Sequence, residues 1–210
     1  VLRANPEYWE EGYPIIDGVR FVNVPEATTE LLMYREGDLD ILLNFPTGQL
    51  NSLKAEFADQ YHEQPGLNVR YWGFKMDEPP FADNLALRQA FNHAIDRELI
   101  WDVLMEGARV PATLGVLPPD IPGSDVEGYA YDPERAKELL AEAGYADAFT
   151  FSLICHDSTA RAIAPMLQFQ FSEIGVTMNI EEMETAVRNT VIAENKHDAA
   201  MAAHVNLVSA

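Results

Sequence analysis

The chain has a single cysteine, Cys155, among 210 residues. That excludes a disulfide framework and any multi-cysteine zinc site. Lysine is almost as scarce: Lys54, Lys75, Lys137 and Lys196 are the only four, and with the arginines they give 14 basic residues against 34 acidic ones, a formal charge of −20. Such a chain repels phosphate backbones and anionic membranes, so nucleic acid is not an expected partner. Heavy acidity with little lysine also suits a salty medium. No run approaches the eighteen or so apolar residues of a membrane span, and Val1 opens without a basic and apolar leader. The five histidines form no i, i+4 pair, and no His-Glu-x-x-His motif occurs, so no metal centre is expected. What remains is 48% hydrophobic and 23% charged, the balance of a folded chain with one or two cores.

Period-2 and period-3.6 hydrophobicity alternate from end to end, which implies an α/β or α+β arrangement. A strand is expected over 18–24, then a helix opened by Pro25 and stopped by Gly37, a strand over 39–43, a short helix from Thr47 and an aromatic strand over 68–74. These make a first β-α-β-α-β group. Glu78-Pro79-Pro80 then breaks the pattern, because residues before proline leave the helical region, and a domain boundary is placed there. Beyond it, Asp83 or Asn84 caps a helix with Leu87, Ala90, Phe91, Ala94 and Ile95 on one face, and Asp96 caps a second over 97–105. Residues 111–128 hold four prolines and read as a long ordered loop. Asp132-Pro133 supplies cap and first-turn proline for a helix ended by Gly144. Strands over 149–154 and 176–180, joined by a helix capped at Ser158, form a βαβ unit that should be parallel and right-handed; a helix from about Thr185 leads to a last strand over 198–207.

The order of several stretches resembles a known family, the extracellular solute-binding proteins of ABC transporters called family 5. They are Asn5-Pro6-Glu7-Tyr8-Trp9 with Asp17-Gly18-Val19, Tyr34-Arg35-Glu36-Gly37-Asp38-Leu39-Asp40, Pro79-Pro80-Phe81-Ala82-Asp83 running into Leu87-Arg88-Gln89-Ala90, and Ala94-Ile95-Asp96-Arg97. The stretch from Tyr131-Asp132-Pro133-Glu134 to Ala143-Gly144-Tyr145 completes the set. The resemblance implies the two-lobed, type II periplasmic-binding-protein fold, here as a partial chain with mixed sheets flanked by helices. Residues 1–75 would be part of the first lobe and 76–210 most of the second, with cleft and hinge near 72–80. It further implies a receptor without catalysis or cofactor, in the periplasm or lipid-anchored at the outer face of the membrane. Such a receptor takes a peptide, opine, nickel chelate or similar small solute and delivers it to ABC permease subunits.

Three stretches match cleft-lining positions of that family. Asn44 and Phe45 end the strand after Gly37, where an amide side chain offers donor and acceptor together. Tyr71 and Trp72 point to opposite faces of their strand, so one ring can wall the cleft while the other packs. His204 stands where the family's peptide binders tend to carry Trp, and Met201 where they carry Arg, a departure that speaks against an oligopeptide-type carboxylate clamp. The alternative reading is an α/β hydrolase using Cys155 and His156, since a thiol beside an imidazole can become a thiolate nucleophile. Neighbours at a strand end rarely aim together, and a strand followed by a helix cap accounts for Cys155-His156-Asp157-Ser158 more simply.

Overall fold

The structure, a computed structural model, describes residues 1–63, 68–104, 106–107, 123, 126, 128–197 and 199–206, the last strand by its backbone. Apart from 123, 126 and 128, the proline-rich stretch 111–128 lies outside the described residues. Two compact units result, Val1–Pro46 and Thr47–Ala210.

In the first unit, β1 (Leu2–Arg3) pairs antiparallel with β2 (Gly18–Val19), Leu2 facing Val19. Gly18 is required there: a Cβ would stand 2.5 Å from the Leu2 carbonyl oxygen. The helix α1 (Ala27–Glu36) starts two residues beyond Pro25, with Glu26 at its N-cap, and ends on Gly37 in the left-handed region, φ 81°. That conformation returns the N–H groups of Gly37 and Asp38 to the carbonyls of Tyr34 and Met33. The expected strands are corrected here. Only Gly18–Val19 of 18–24 is paired, and 39–43 forms no ladder among the described residues. An apolar run becomes a strand only where a second strand lies alongside. Ile41 and Leu43 stay exposed instead.

The second unit opens with α2 (Leu50–Glu56), three residues later than expected. Its sheet contains β3 (Asn68–Phe74), β4 (Phe149–Cys155), β5 (Val176–Glu182) and β6 (Ala199–Asn206) in the order β3-β6-β4-β5. β4 is parallel to β5 and to β6, whereas β3 runs antiparallel to β6. β3 therefore belongs with the strands after the double proline, not with a β-α-β-α-β group before it. The helices are α3 (Leu85–His93), α4 (Arg97–Leu104), α5 (Pro133–Glu142), α6 (Ser158–Glu173) and α7 (Thr185–Ala193).

Local signals set the ends of these helices. Asn84 serves two at once: its Oδ1 accepts from Leu87 N of α3 at 3.1 Å, and its Nδ2 donates to the Ala143 carbonyl that closes α5 at 3.3 Å. Asp96 accepts from Leu99 N and Asp132 from Arg135 N, both at 2.9 Å. The cap of α6 is Asp157 rather than Ser158, through Ala160 N at 2.8 Å. Between sheet and helices lies an aromatic core. Phe81, fully buried just after Pro79–Pro80, stacks on Phe74 at 4.4 Å and meets Phe91 and Phe149 edge-on at 5.6 and 5.9 Å. Phe91 packs on Phe171 of α6 at 4.7 Å. The PPF signature thus drives one ring into the centre of the second unit, which fixes β3 against α3 and α6.

Candidate functional site

In the first unit the expected loop is held from behind by a carboxylate. Glu30, in the first turn of α1, is buried. Its Oε1 accepts from the backbone N–H groups of Leu43 and Asn44 at 2.9 and 3.2 Å, and its Oε2 from Asn44 Nδ2 at 3.0 Å. One of the two amide N–H donors of Asn44 is therefore used inside the unit, leaving the other and the carbonyl oxygen. Leu43 and Phe45 project outward beside it. Glu30 was not legible as a site residue, because an acidic residue in a first helical turn reads as a dipole partner.

In the second unit Tyr71 and Trp72 lie on β3 against β6, in register with Ala202 and Met201. Both rings are half-buried. Trp72 packs against the core cluster, and its indole N–H is buried with no acceptor among the described residues. Between Val69 and Tyr71 the ladder slips: Val69 faces Val205 but Tyr71 faces Ala202, so β6 carries one extra residue opposite Arg70, at Ala203–His204. This bulge bends β6 at His204, whose side chain lies outside the described residues.

Three arginines and a histidine of the second unit gather at one edge of its sheet, where β4 and β5 end and β3 begins. Arg70 of β3 reaches Asp157 after β4, Nη1 standing 3.3 Å from Oδ1 and 3.2 Å from Oδ2. Arg161 of α6 pairs with Glu182 at the end of β5 through Nε at 3.0 Å. Arg188 of α7 is buried and donates from Nη1 to Asn189 Oδ1 at 3.0 Å. Among them sits His156, its side chain 9% exposed, Nε2 3.7 Å from Asp157 Oδ2 and Nδ1 buried with no hydrogen-bond partner among the described residues. Burial, then the charges of Arg188, Arg70 and Arg161, push its pKa below the ordinary 6.5 against the pull of Asp157, so the ring is neutral at pH 7. Asp157 is held below the usual carboxylate range. Burial alone would raise it, but the Ala160 N–H, the charge and hydrogen bond of Arg70, and His156 outweigh that.

The edge lies at the carboxyl ends of parallel strands, where α/β sheets bind their ligands. A neutral imidazole with a free nitrogen and a cationic fork can together take an anionic oxygen. Sequence reasoning passed over Arg70, Arg161 and Arg188, since isolated arginines read as solvated surface. Cys155, one residue away, is something else. It lies wholly inside the core cluster, and burial, with Glu182 and Asp157 nearby, pushes its thiol up to about 11. A protonated thiol facing the core is no nucleophile. The described residues contain no cluster of three His, Cys, Asp or Glu able to hold a metal ion, and no helix long and apolar enough to cross a membrane.

A family model described as bacterial extracellular solute-binding proteins, family 5 Middle, matches residues 1–208. Heme-binding protein A of Haemophilus influenzae is 34% identical over 184 residues, covering 84% of this chain and 33% of that protein. Glutathione-binding protein GsiB of Salmonella typhimurium is 33% identical over 184 residues, covering 86% and 36%. The chain thus spans about a third of the length of these curated relatives. Among solved structures, a Pseudoalteromonas dipeptide-binding protein in complex with Met-Leu is 30% identical with a TM-score of 0.68, covering 85% of this chain and 36% of that one. Haemophilus influenzae OppA in complex with RPPGFSPFR is 25% identical with a TM-score of 0.81, covering 97% and 42%. The fold is the mixed α/β, type II periplasmic-binding-protein fold, of which this chain is a part.

Proposed function

The chain belongs to the bacterial extracellular solute-binding proteins, family 5, and on that footing we propose that the protein is the substrate-binding component of an ABC importer. It works without chemistry on its cargo: two lobes close on a small solute, and the closed form docks on the permease at the outer face of the cytoplasmic membrane. In this reading the first compact unit, Val1–Pro46, is a portion of the first lobe, and the second, from Thr47 on, carries most of the second lobe. The hinge is proposed near 72–80. Closure is then a population shift set by contacts that the solute makes with both lobes.

One observation carries the ligand class, the arginine and imidazole edge at the ends of β4 and β5. It suits a peptide or related solute with a carboxylate, whose anionic end enters between Arg70, Arg161 and His156. Asn44 and Phe45 of the first unit are proposed solute contacts in their own right, while Tyr71 and the backbone at His204 border the charged edge on β3 and β6. Peptide-like solutes also agree with the dipeptide, RPPGFSPFR and glutathione named for three of the relatives, a fourth being named for heme.

Calorimetric titration with Met-Leu, reduced glutathione and their carboxyl-amidated forms tests this. Saturable binding of the acids is expected, weaker by about tenfold or more for the amides, which is one lost charge-assisted hydrogen bond. In Arg161→Gln, acid and amide should bind alike. Equal binding of acid and amide by the unaltered protein would remove the anionic site, and heat from neither solute nor any other carboxylate would remove the receptor reading.

A further inference from the structure

Among the described groups of the charged edge, His156 alone is of a kind that changes charge near neutral pH. Charge reaches its ring from several elements. Arg70 of β3, Arg161 of α6 and Arg188 of α7 oppose a proton on it, and Asp157, next in the chain, favours one. Glu182 at the end of β5 pairs with Arg161 at 3.0 Å, and the neighbouring Cys155 thiol stays protonated. A buried imidazole ordinarily has one nitrogen tied to a carbonyl or carboxylate, which fixes where its proton sits. Neither nitrogen of His156 is tied in that way. Nδ1 is buried with no partner among the described residues, and Nε2 stands 3.7 Å from Asp157 Oδ2, beyond hydrogen-bond reach. The ring is thus held neutral by the arginines, with room for a second proton once a negative charge offsets them.

We propose that an anionic solute enters this edge together with a proton, taken up by His156, so that the site fills more tightly in a mildly acidic medium and empties as the pH rises. This rests on the reading that a solute carboxylate lies between Arg70, Arg161 and His156. The proton comes from the medium and forms an N–H bond at the ring nitrogen that lacks one, and no bond of the solute breaks. The imidazolium then donates from both nitrogens. An opposite charge within about 4–6 Å holds a proton about tenfold more tightly or better. Linkage is reciprocal, so the proton strengthens the solute's hold by the same factor.

Titration calorimetry of Met-Leu and glutathione at pH 7.0 and 5.5, each in two buffers of different protonation enthalpy, counts the protons taken up. In that window both probes keep their carboxylates ionised and their amines mostly charged, so the solute itself contributes little. Uptake of about half a proton, with affinity about threefold higher at pH 5.5, is the expected result, and His156→Gln should lose both. Acid bound more tightly than amide but without proton uptake, or a pH dependence that survives in His156→Gln, would overturn the coupling and leave the anionic site standing. If that variant does not fold, nuclear magnetic resonance follows the ring in the unaltered protein: the His156 signal should titrate at higher pH with probe than without, and titration at the same pH refutes the proposal. Should neither probe bind, the receptor reading fails by itself, and the same titration in sodium acetate against sodium chloride still decides. A higher titration pH in acetate supports proton uptake beside a carboxylate, and an equal one refutes it.

Discussion

Replacing Glu30 by Gln isolates what a buried carboxylate does for an exposed loop. The native side chain receives three hydrogen bonds, from Leu43 N, Asn44 N and Asn44 Nδ2, at 2.9, 3.2 and 3.0 Å. Gln keeps one acceptor oxygen and puts an NH2 group against the remaining donors, so at least one bond is lost and the others lose their charge assistance. Leu43 is 71% exposed, and water can reach the freed N–H groups. Each bond therefore counts near the low end of the usual range, and the three together come to about 2 kcal/mol. At 1.4 kcal/mol per tenfold, opening of the loop should rise about 30-fold. The assay is amide exchange at Leu43 and Asn44, read against Leu31 of the same helix as an internal standard. Protection lost at the two loop amides and kept at Leu31 is the expected pattern. Unchanged exchange at both would show that the carboxylate does not hold the loop, and loss at all three would make Glu30 a residue of general stability.

Phe81→Ala should cost about 3–5 kcal/mol in urea denaturation, because it empties the centre of the aromatic cluster; a cost below 1 kcal/mol would mean that the cluster repacks. His156 has a folded pKa below 6.5, so the unfolded chain binds its proton first and stability falls as the pH drops through that region. His156→Asn should flatten that part of the stability curve, and an unchanged slope between pH 6.5 and 5 contradicts the burial of the ring. Asp157 has its folded pKa below the ordinary 3.8, so its contribution is present above that value and lost as the pH falls through the folded one. Arg70→Met should move the loss to higher pH, and an acid limb that stays in place breaks the pairing seen at 3.2 Å. With a net charge of −20, raising sodium chloride from 0.05 to 1 M should raise the melting temperature by several degrees, and a flat response would show that self-repulsion is already relieved.

Helices were legible where their punctuation is local. Asp132-Pro133 and Gly144 bracket α5, and Asn84 and Asp96 start α3 and α4, because a cap needs only a donor three residues away. At Asp157-Ser158 two cap formers stand side by side, and sequence cannot tell which is half a turn early. Strands were harder. Their hydrogen bonds go to distant residues, so 39–43 looks like a strand by pattern and yet has no ladder, while β3 turned out to pair with residues far downstream. The site followed the same division. Asn44, Tyr71 and Trp72 stand out by residue type, but Glu30 behind Asn44 and Arg70 beside Asp157 act through partners 14 and 87 residues away. Charged side chains look alike in a sequence until the fold says which are buried together.

The strand order β3-β6-β4-β5 also governs when this sheet can form. β6 occupies an inner position, yet it follows β3, β4 and β5 in sequence, and its Asn206 pairs with Asn68. A polypeptide emerging from its N-terminus can assemble β4, α6 and β5 early, but β3 must wait with an unpaired edge until β6 threads in beside β4. Completion of this four-stranded sheet is then gated by the arrival of β6, so β3, made first, is the strand paired last.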